Sequence, residues 1–325
     1  MNAHDDGGPL PMLPARDPMG HKGTFGVVGV VGGACAHGVR MIGAPALVAR
    51  GAFRAGAGLV KLACPAGILS EAIALEPSAT GVVMPTDEGG AILAHEAAAV
   101  LDALARSCDA LVVGPGLGGG AEIETVALRA VKCEDVPVVL DADALNALSR
   151  VGELAREWRC RGIVTPHAGE WRRLASAVRA SGDPVEPSGR AEAAASLAQR
   201  LGCVVVLKGA RTVVSDGLRV WTCPDGDACL ATAGTGDVLA GVIAALVAAY
   251  VGAGEPAGLS EDVRLALPKS RVKPLDLFDA ARLGVTAHAR AGSRWASEHG
   301  AHGGAVAREV ADLLPMEVER LRVAG

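Results

Sequence analysis

Ala231-Thr232-Ala233-Gly234-Thr235-Gly236-Asp237-Val238-Leu239-Ala240-Gly241 runs a glycine-rich turn into an uncharged apolar segment that continues to Tyr250. Glycine adopts the turn's unusual backbone angles cheaply, and the run behind it reads as a buried helix over Val238 to Tyr250. Consecutive N–H groups at the start of such a helix converge on an anion, aided by the helix dipole. Asp237 falls in the first turn, where the same dipole keeps its carboxylate ionised. An anion hole beside a ready base is what transfer of a phosphoryl group to a hydroxyl requires. The base takes the proton, and the amides stabilise charge building on the phosphoryl oxygens. The plainer reading is a glycine turn with Asp as a helix-start residue, and this stretch alone leaves both open.

Upstream of the turn, short apolar runs alternate with amphipathic, Ala-rich segments. Phe25 to Val31, Leu111 to Val113, Val136 to Leu140, Ile163 to Val164 and Val204 to Leu207 read as strands, apolar on both faces. Gly43 to Ala55, His95 to Arg106 and Arg190 to Leu201 read as helices. This alternation predicts an α/β fold, a mostly parallel central sheet flanked by helices on both faces. Thr212 to Val214 and Leu218 to Thr222 flank Ser215-Asp216-Gly217 and predict a hairpin. A last long helix is expected over Leu277 to Arg294, with Glu255 to Pro274 as a polar surface insertion. There is no internal repeat and no break in composition. The expectation is one domain over 21–325 behind a disordered tail over 1–20.

The chain has 325 residues, of which half are hydrophobic, while four Trp, one Tyr and three Phe leave Ala, Val, Leu and Gly to fill the core. The net charge of −5, with no long run of one sign, argues against nucleic acid as a partner. The eight cysteines form no CxxC pair and no zinc-type spacing, so buried reduced thiols are expected and no metal-ligating set is assigned. The opening residues lack an apolar signal region. Val238 to Gly254 is uncharged and nearly long enough to cross a bilayer, but its glycines and flanking turn favour a buried helix. A soluble cytoplasmic protein without membrane association is expected.

Four further stretches sit where strands end. Lys208-Gly209-Ala210-Arg211-Thr212 follows an apolar strand, so Lys208 is a cation for nucleotide phosphate or a solvated turn residue, and Gly209 admits close approach of a ligand. In Thr165-Pro166-His167-Ala168-Gly169-Glu170, Thr165 suits an N-cap and Pro166 a first helical position. His167 is left over by that assignment, as a substrate hydrogen-bonding group or a satisfied structural histidine. Gly114-Pro115-Gly116-Leu117-Gly118 would cradle a phosphate or pack a ligand on bare backbone; it is internal, unlike the dinucleotide fingerprint. Asp141 and Asp143 would hold a metal or a ribose, or cap the next helix.

These pieces, in this order, resemble the ADP/ATP-dependent NAD(P)H-hydrate dehydratase family. The likeness begins at His21-Lys22-Gly23-Thr24-Phe25-Gly26 and continues through Gly32-Gly33, Gly43-Ala44-Pro45 and Arg54 to Val60. It goes on through the stretches at 114, 141, 165, 207 and 233, and closes over Leu283 to Ala291 and Gly304 to Pro315. The resemblance implies a ribokinase-like fold and a repair reaction. The S epimer of hydrated NADH or NADPH is phosphorylated on its ring hydroxyl by ADP (or ATP) and then loses phosphate. By the same resemblance, Asp237 contacts the hydrate and acts as base. Gly236 lies beside the nucleotide phosphates, and Lys208, Gly209, Ala210, Arg211 and Thr212 hold the nucleotide. Ala44, Gly116 and His167 line the hydrate site, and Mg2+ comes with the nucleotide, held largely by its phosphates. A separate NAD(P)H-hydrate epimerase supplies the S form, since some 20 residues before the match cannot encode one, and a homotetramer is expected.

The chain departs from the family pattern at three places. Asp227 follows Gly226 where Asn is usual, Ala34 stands for Ser, and Met41 for Tyr. A carboxylate at 227 would repel nucleotide phosphates unless a cation balances it. A small-alcohol kinase of the same fold, which would leave its product phosphorylated, and a non-catalytic nucleotide-binding regulator are the competing readings.

Overall fold

Val28, Val30, Val112, Val139, Val204 and Val206 point to one core, while Val31, Leu111, Val113, Val138, Leu140, Val205 and Leu207 point to another. Side chains alternate across a strand, so runs that are apolar throughout need cover on both faces. That cover is what the chain supplies. The structure, a computed structural model, describes residues 7–36, 38–251 and 275–322. Its strands are β1 (Val27–Val31), β2 (Leu59–Pro65), β3 (Thr80–Met84), β4 (Ala110–Val113), β5 (Val138–Leu140), β6 (Gly162–Val164), β7 (Val204–Leu207), β8 (Val213–Ser215) and β9 (Val220–Thr222). They form one sheet in the order β3-β2-β1-β4-β5-β6-β7-β8-β9. Pairing is parallel from β3 through β7, and β7-β8-β9 is antiparallel, as the hairpin signal predicts.

The helices between strands are α1 (Gly43–Arg54), α2 (Leu69–Leu75), α3 (Ala94–Ala105), α4 (Ala121–Val131), α5 (Asp143–Leu148), α6 (Leu154–Glu157), α7 (Ala168–Val178) and α8 (Arg190–Leu201). After the hairpin come α9 (Thr235–Tyr250), α10 (Leu277–His299) and α11 (Ala307–Arg320). One face of the sheet carries α1, α9, α10 and α11; the other carries α3, α4, α5, α7 and α8. The sequence reading missed β2 and β3. Lys61 interrupts β2, and β3 is an edge strand with Thr80, Gly81 and Val83 exposed, so neither shows a buried-strand pattern.

The uncharged segment resolves as α9, buried along most of its length between the sheet, α1 and α10. Its contact with α1 is backbone on backbone. A Cβ on Gly241 would lie 2.1 Å from the Val48 carbonyl oxygen, and one on Gly51 would lie 2.4 Å from that of Val238. Only glycine on both helices permits this approach, which draws the start of α9 down onto the sheet. No helix among the described residues is long and apolar enough to cross a membrane. The eight cysteines are free thiols, six of them buried.

Two expectations meet different outcomes. The insertion at 255–274 lies outside the described residues. Of the tail expected to be disordered, residues 7–20 instead follow the surface under several restraints. Leu13 is buried in the core beneath α11, with its N–H on the Leu321 carbonyl. Gly7 donates to the Val220 carbonyl on the free edge of β9, and the buried Arg282 guanidinium holds the Gly7 and Gly8 carbonyls. A polar, Pro/Gly-rich stretch carries no periodicity, so its anchoring by α10 and α11 has no local sequence signal.

Candidate active site

The strand order reverses between β1 and β4, which opens a crevice at their carboxyl ends, the usual ligand position in such sheets. Gly33 donates to the Pro115 carbonyl across it at 3.0 Å. Gly116 has φ 71°, and a Cβ there would stand 3.1 Å from the Met41 Cβ and 3.2 Å from the Ala44 Cβ. The two glycine-rich loops and the first turn of α1 therefore meet, and Ala44 and Gly116 are neighbours. The departures Ala34 and Met41 also pair with each other, through backbone hydrogen bonds in both directions. His21–Gly26 precedes β1 and lies at its amino end, away from this crevice.

The start of α9 enters the same crevice. Gly234 takes the left-handed conformation at φ 90°, and the helix begins at Thr235, three residues earlier than its apolar run suggests. The Thr235 hydroxyl donates to the Leu230 and Thr232 carbonyls, closing the turn beneath. Asp237 sits in the first turn as expected, but its carboxyl is not held low by the dipole. Burial, then the Asp141 carboxylate, with smaller contributions from Asp143 and Glu170 and against the pull of Lys208, pushes its pKa up to about 7. Desolvation penalises the charged form of the carboxyl, and the like charge of Asp141 adds to it. The result is a carboxyl group that titrates near neutral pH, as a general base requires.

Lys208 is the cation of the site. Its Nζ lies 2.7 Å from Asp141 Oδ1 and 3.8 Å from Glu170 Oε2, with both carboxylates buried. A Cβ on Gly236 would lie 3.5 Å from the same Nζ, so the ammonium stands at the mouth of α9. Burial disfavours the charged lysine, yet Asp141, Glu170 and Asp237 together hold its pKa above the ordinary value. The two acids of the 141–143 pair do different jobs: Asp141 holds Lys208, whereas Asp143 accepts from Gly118 N–H at 2.8 Å and braces the second glycine loop. Between them Ala142 has a positive φ of 51°, a strain the two anchored neighbours maintain.

The assignment of Thr165 as an N-cap is overturned. Thr165 is fully buried at the end of β6, and the cap of α7 is His167. Its Nδ1 accepts from Gly169 and Glu170 N–H, while Glu170 Oε2 accepts from His167 N–H at 2.8 Å, forming a reciprocal box. Capping therefore explains one ring nitrogen. Because Nδ1 is an acceptor, the proton sits on Nε2, on a side chain that is 56% exposed. Burial, Lys208 and Arg173 lower the pKa of His167, which keeps the ring neutral.

Gly209, Ala210 and Arg211 lie on the exposed loop after β7, and Thr212 closes it with its hydroxyl on the Gly209 carbonyl. Asp227 does not act as a bare charge. It caps the short turn at Ala228–Leu230 through Cys229 N–H and pairs with His302 at 2.8 Å, and these bonds lower its pKa.

Sequence reasoning missed Glu170 as a partner of Lys208, Arg190 as a brace of the 208–212 loop, and His288. The last is buried in α10 against Thr235, its pKa lowered to about 4 by burial, and its Nε2 finds no partner among the described residues. Each lies on a helix pattern that reads as ordinary surface or core; only Glu170 carried a signal, at the third position of a cap.

Among the described residues no three His, Cys, Asp or Glu gather to hold a metal by themselves. Magnesium would enter as the nucleotide's own complex, coordinated by phosphate oxygens.

The sheet order and the crevice at its switch point define a ribokinase-like protein. A ribokinase-like superfamily protein of Enterococcus faecalis shares the fold at TM-score 0.70, with 22% identity over 95% of this chain and 92% of that one. The family model for NAD(P)H-hydrate dehydratase matches residues 28–316, and the chain belongs to that family. The ADP/ATP-dependent NAD(P)H-hydrate dehydratase of Bacillus subtilis, crystallised with ATP and Mg2+, is 26% identical over 95% of both chains at TM-score 0.69. Bifunctional NAD(P)H-hydrate repair enzymes are similar as well. That of Salinibacter ruber is 39% identical over 72% of this chain and 42% of its own length. That of Thermofilum pendens is 33% identical over 97% of this chain and 53% of its own. The chain thus spans about half the length of these relatives.

Proposed function

We propose that this chain is a hydro-lyase that restores NADH and NADPH from their S hydrates at the expense of ADP, with ATP as the alternative donor. The observation that carries the reading is Asp237, poised near neutrality at the amino end of α9 beside Lys208. The nucleotide lies along Lys208, Gly209, Ala210, Arg211 and Thr212, with its terminal phosphate at Gly236. The hydrate lies over Ala44 and Gly116, within reach of His167 Nε2–H.

Asp237 takes the ring hydroxyl proton as that oxygen attacks the terminal phosphorus. The new O–P bond forms as the bridging P–O bond breaks, and AMP leaves with the electron pair. Backbone N–H groups at the start of α9 and the Lys208 ammonium meet the charge on the transferred group. Phosphate then departs with the C–O electrons, and a proton lost from the adjacent ring carbon restores the double bond. Magnesium, when bound with the nucleotide, neutralises phosphate charge. The neutral His167 keeps its donor through the cycle because its Nδ1 is committed to the cap.

The deciding experiment mixes purified protein with hydrated NADH, Mg2+ and ADP, then ATP, and follows return of the reduced nicotinamide absorbance. Nucleotide-dependent recovery supports the dehydratase and ranks the donors. Absence of recovery by folded, nucleotide-binding protein would sink it and direct a screen of small alcohols for phosphorylation. The proposal includes a separate epimerase for the R form and a homotetramer in the cytoplasm. Light scattering on the purified protein tests the assembly.

A further inference from the structure

Arg190 is the first residue of α8, and it points away from its own helix. Its guanidinium donates to the carbonyls of Leu207 at 2.8 Å, Lys208 at 3.3 Å and Arg211 at 3.4 Å, and to that of Pro184 on the other side. Three carbonyls from the turn after β7 thus converge on one side chain that carries no carboxylate partner in this set of contacts. A Cβ on Gly209 would fall 2.8 Å from the guanidinium, so Gly209 is bare because Arg190 lies beneath it. The space that the sequence suggests for a ligand is filled by this side chain.

We propose that Arg190 is a positioning residue that shapes the Lys208–Thr212 loop to receive a nucleotide phosphate. The inference rests on the reading of that loop as the nucleotide site. Across a trans peptide unit the C=O and the next N–H point in opposite directions. Drawing the Lys208 oxygen inward onto Arg190 sends the Gly209 N–H outward, and the chain is held in that form before any ligand arrives. A cation under the loop also neutralises the carbonyl dipoles that would otherwise face an incoming anion. The guanidinium suits this task because its Nη2 gathers the three loop oxygens while its Nη1 holds the Pro184 carbonyl on the other side, a two-sided reach that the single nitrogen of an ammonium lacks. Arg190 touches no reacting atom, so its effect is confined to nucleotide affinity. The clasp also ties the loop to the 183–186 turn, itself closed by Asp183 accepting from Val185 and Glu186 N–H.

Calorimetric titration of Mg2+-ADP into wild type, Arg190→Lys and Arg190→Gln tests this, with thermal melting run alongside. Arg190→Gln is expected to weaken nucleotide binding by about tenfold or more, and Arg190→Lys by less, because preorganisation of the loop is lost. In turnover the KM for nucleotide rises in step while kcat at saturation and the KM for hydrate stay within about threefold. Gly209→Ala should weaken ADP binding in wild type and have a smaller effect in the Arg190→Gln background, since the clash is with the guanidinium. A lowered melting temperature with unchanged ADP affinity would make Arg190 a structural brace only and overturn the inference. Failure of wild type to bind ADP would instead overturn the nucleotide reading of the loop.

Discussion

Lys208 Nζ stands 2.7 Å from Asp141 Oδ1, joining the end of β7 to the end of β5 across the intervening strand β6. Both groups are largely buried, and the pair faces the carboxyl of Asp237. A buried ion pair of this kind adds little to stability, because desolvation offsets its attraction. Here it acts on the titration of Asp237.

That relationship has a pH signature. Asp237 must be ionised to accept a proton, so kcat/KM should climb with rising pH through its pKa of about 7. Asp141→Asn removes the largest charge that raises this pKa, and it frees Lys208 to interact with Asp237. The acid limb should therefore move to lower pH, by at least about half a unit. A limb that stays in place or moves up would show that Asp141 does not govern the base.

Asp237 itself separates chemistry from binding and from stability. Asp237→Ala should lower kcat by about a thousandfold or more while ADP still binds, as expected for loss of a general base in a fixed site. Full turnover in this variant would remove Asp237 from the mechanism. Linkage gives a second readout. The folded pKa lies above that of the unfolded chain, so the native state binds the extra proton between about pH 4 and 7. Stability from this group is present at low pH and lost as pH rises through that window. Asp237→Asn should melt higher than wild type by about 3 °C or more at pH near 8, with the gap closing near pH 4.

His167 caps α7 through Nδ1 and is proposed to bind the hydrate through Nε2–H, and substitution can part the two. His167→Ala loses the cap and should cost about 1 kcal/mol of stability in denaturant unfolding, as well as raising the KM for hydrate. His167→Asn restores an acceptor for the cap but not the Nε2–H donor. It should recover most of the stability and leave the KM high. Recovery of both would confine His167 to the role of a cap.

Gly241→Ala tests the helix contact that positions the site. The added Cβ meets the Val48 carbonyl at 2.1 Å, so α1 and α9 must separate. Overpacking of this kind costs about 1–3 kcal/mol. Because α9 carries Asp237, the variant should also lose kcat at temperatures where it remains folded. A melt and an assay below the transition check both; an unchanged melting temperature would mean that the helices part freely.

Much of this was legible before any coordinates. Phe25 to Val31 and Val204 to Leu207 are apolar on both faces, and only a sheet covered on both sides satisfies them, so class and strand direction followed. The glycine turn before Asp237 marked a helix mouth for the same local reason. The hidden parts are those where the chain folds back on itself. Residues 7–20 have no periodic pattern and are held by Arg282 and the end of α11. Thr165 and Pro166 look like a helix start, yet the end of β6 buries Thr165, and the cap passes to His167.

The sequence by itself determined the alternation of buried strands and helices apart from β2 and β3, the residues that occupy the ends of the buried strands, and Asp237 in a first helical turn. These are local matters, set by side-chain period, glycine conformations and capping chemistry. Only the tertiary structure decided that Asp141 holds Lys208, that Arg190 gathers three carbonyls under the loop, and that Asp227 turns to His302. It also decided the state of Asp237, because burial and the charges brought from β5, β7 and α7 act through space. A pKa is a property of surroundings, and the surroundings of Asp237 come from segments up to about a hundred residues away along the chain.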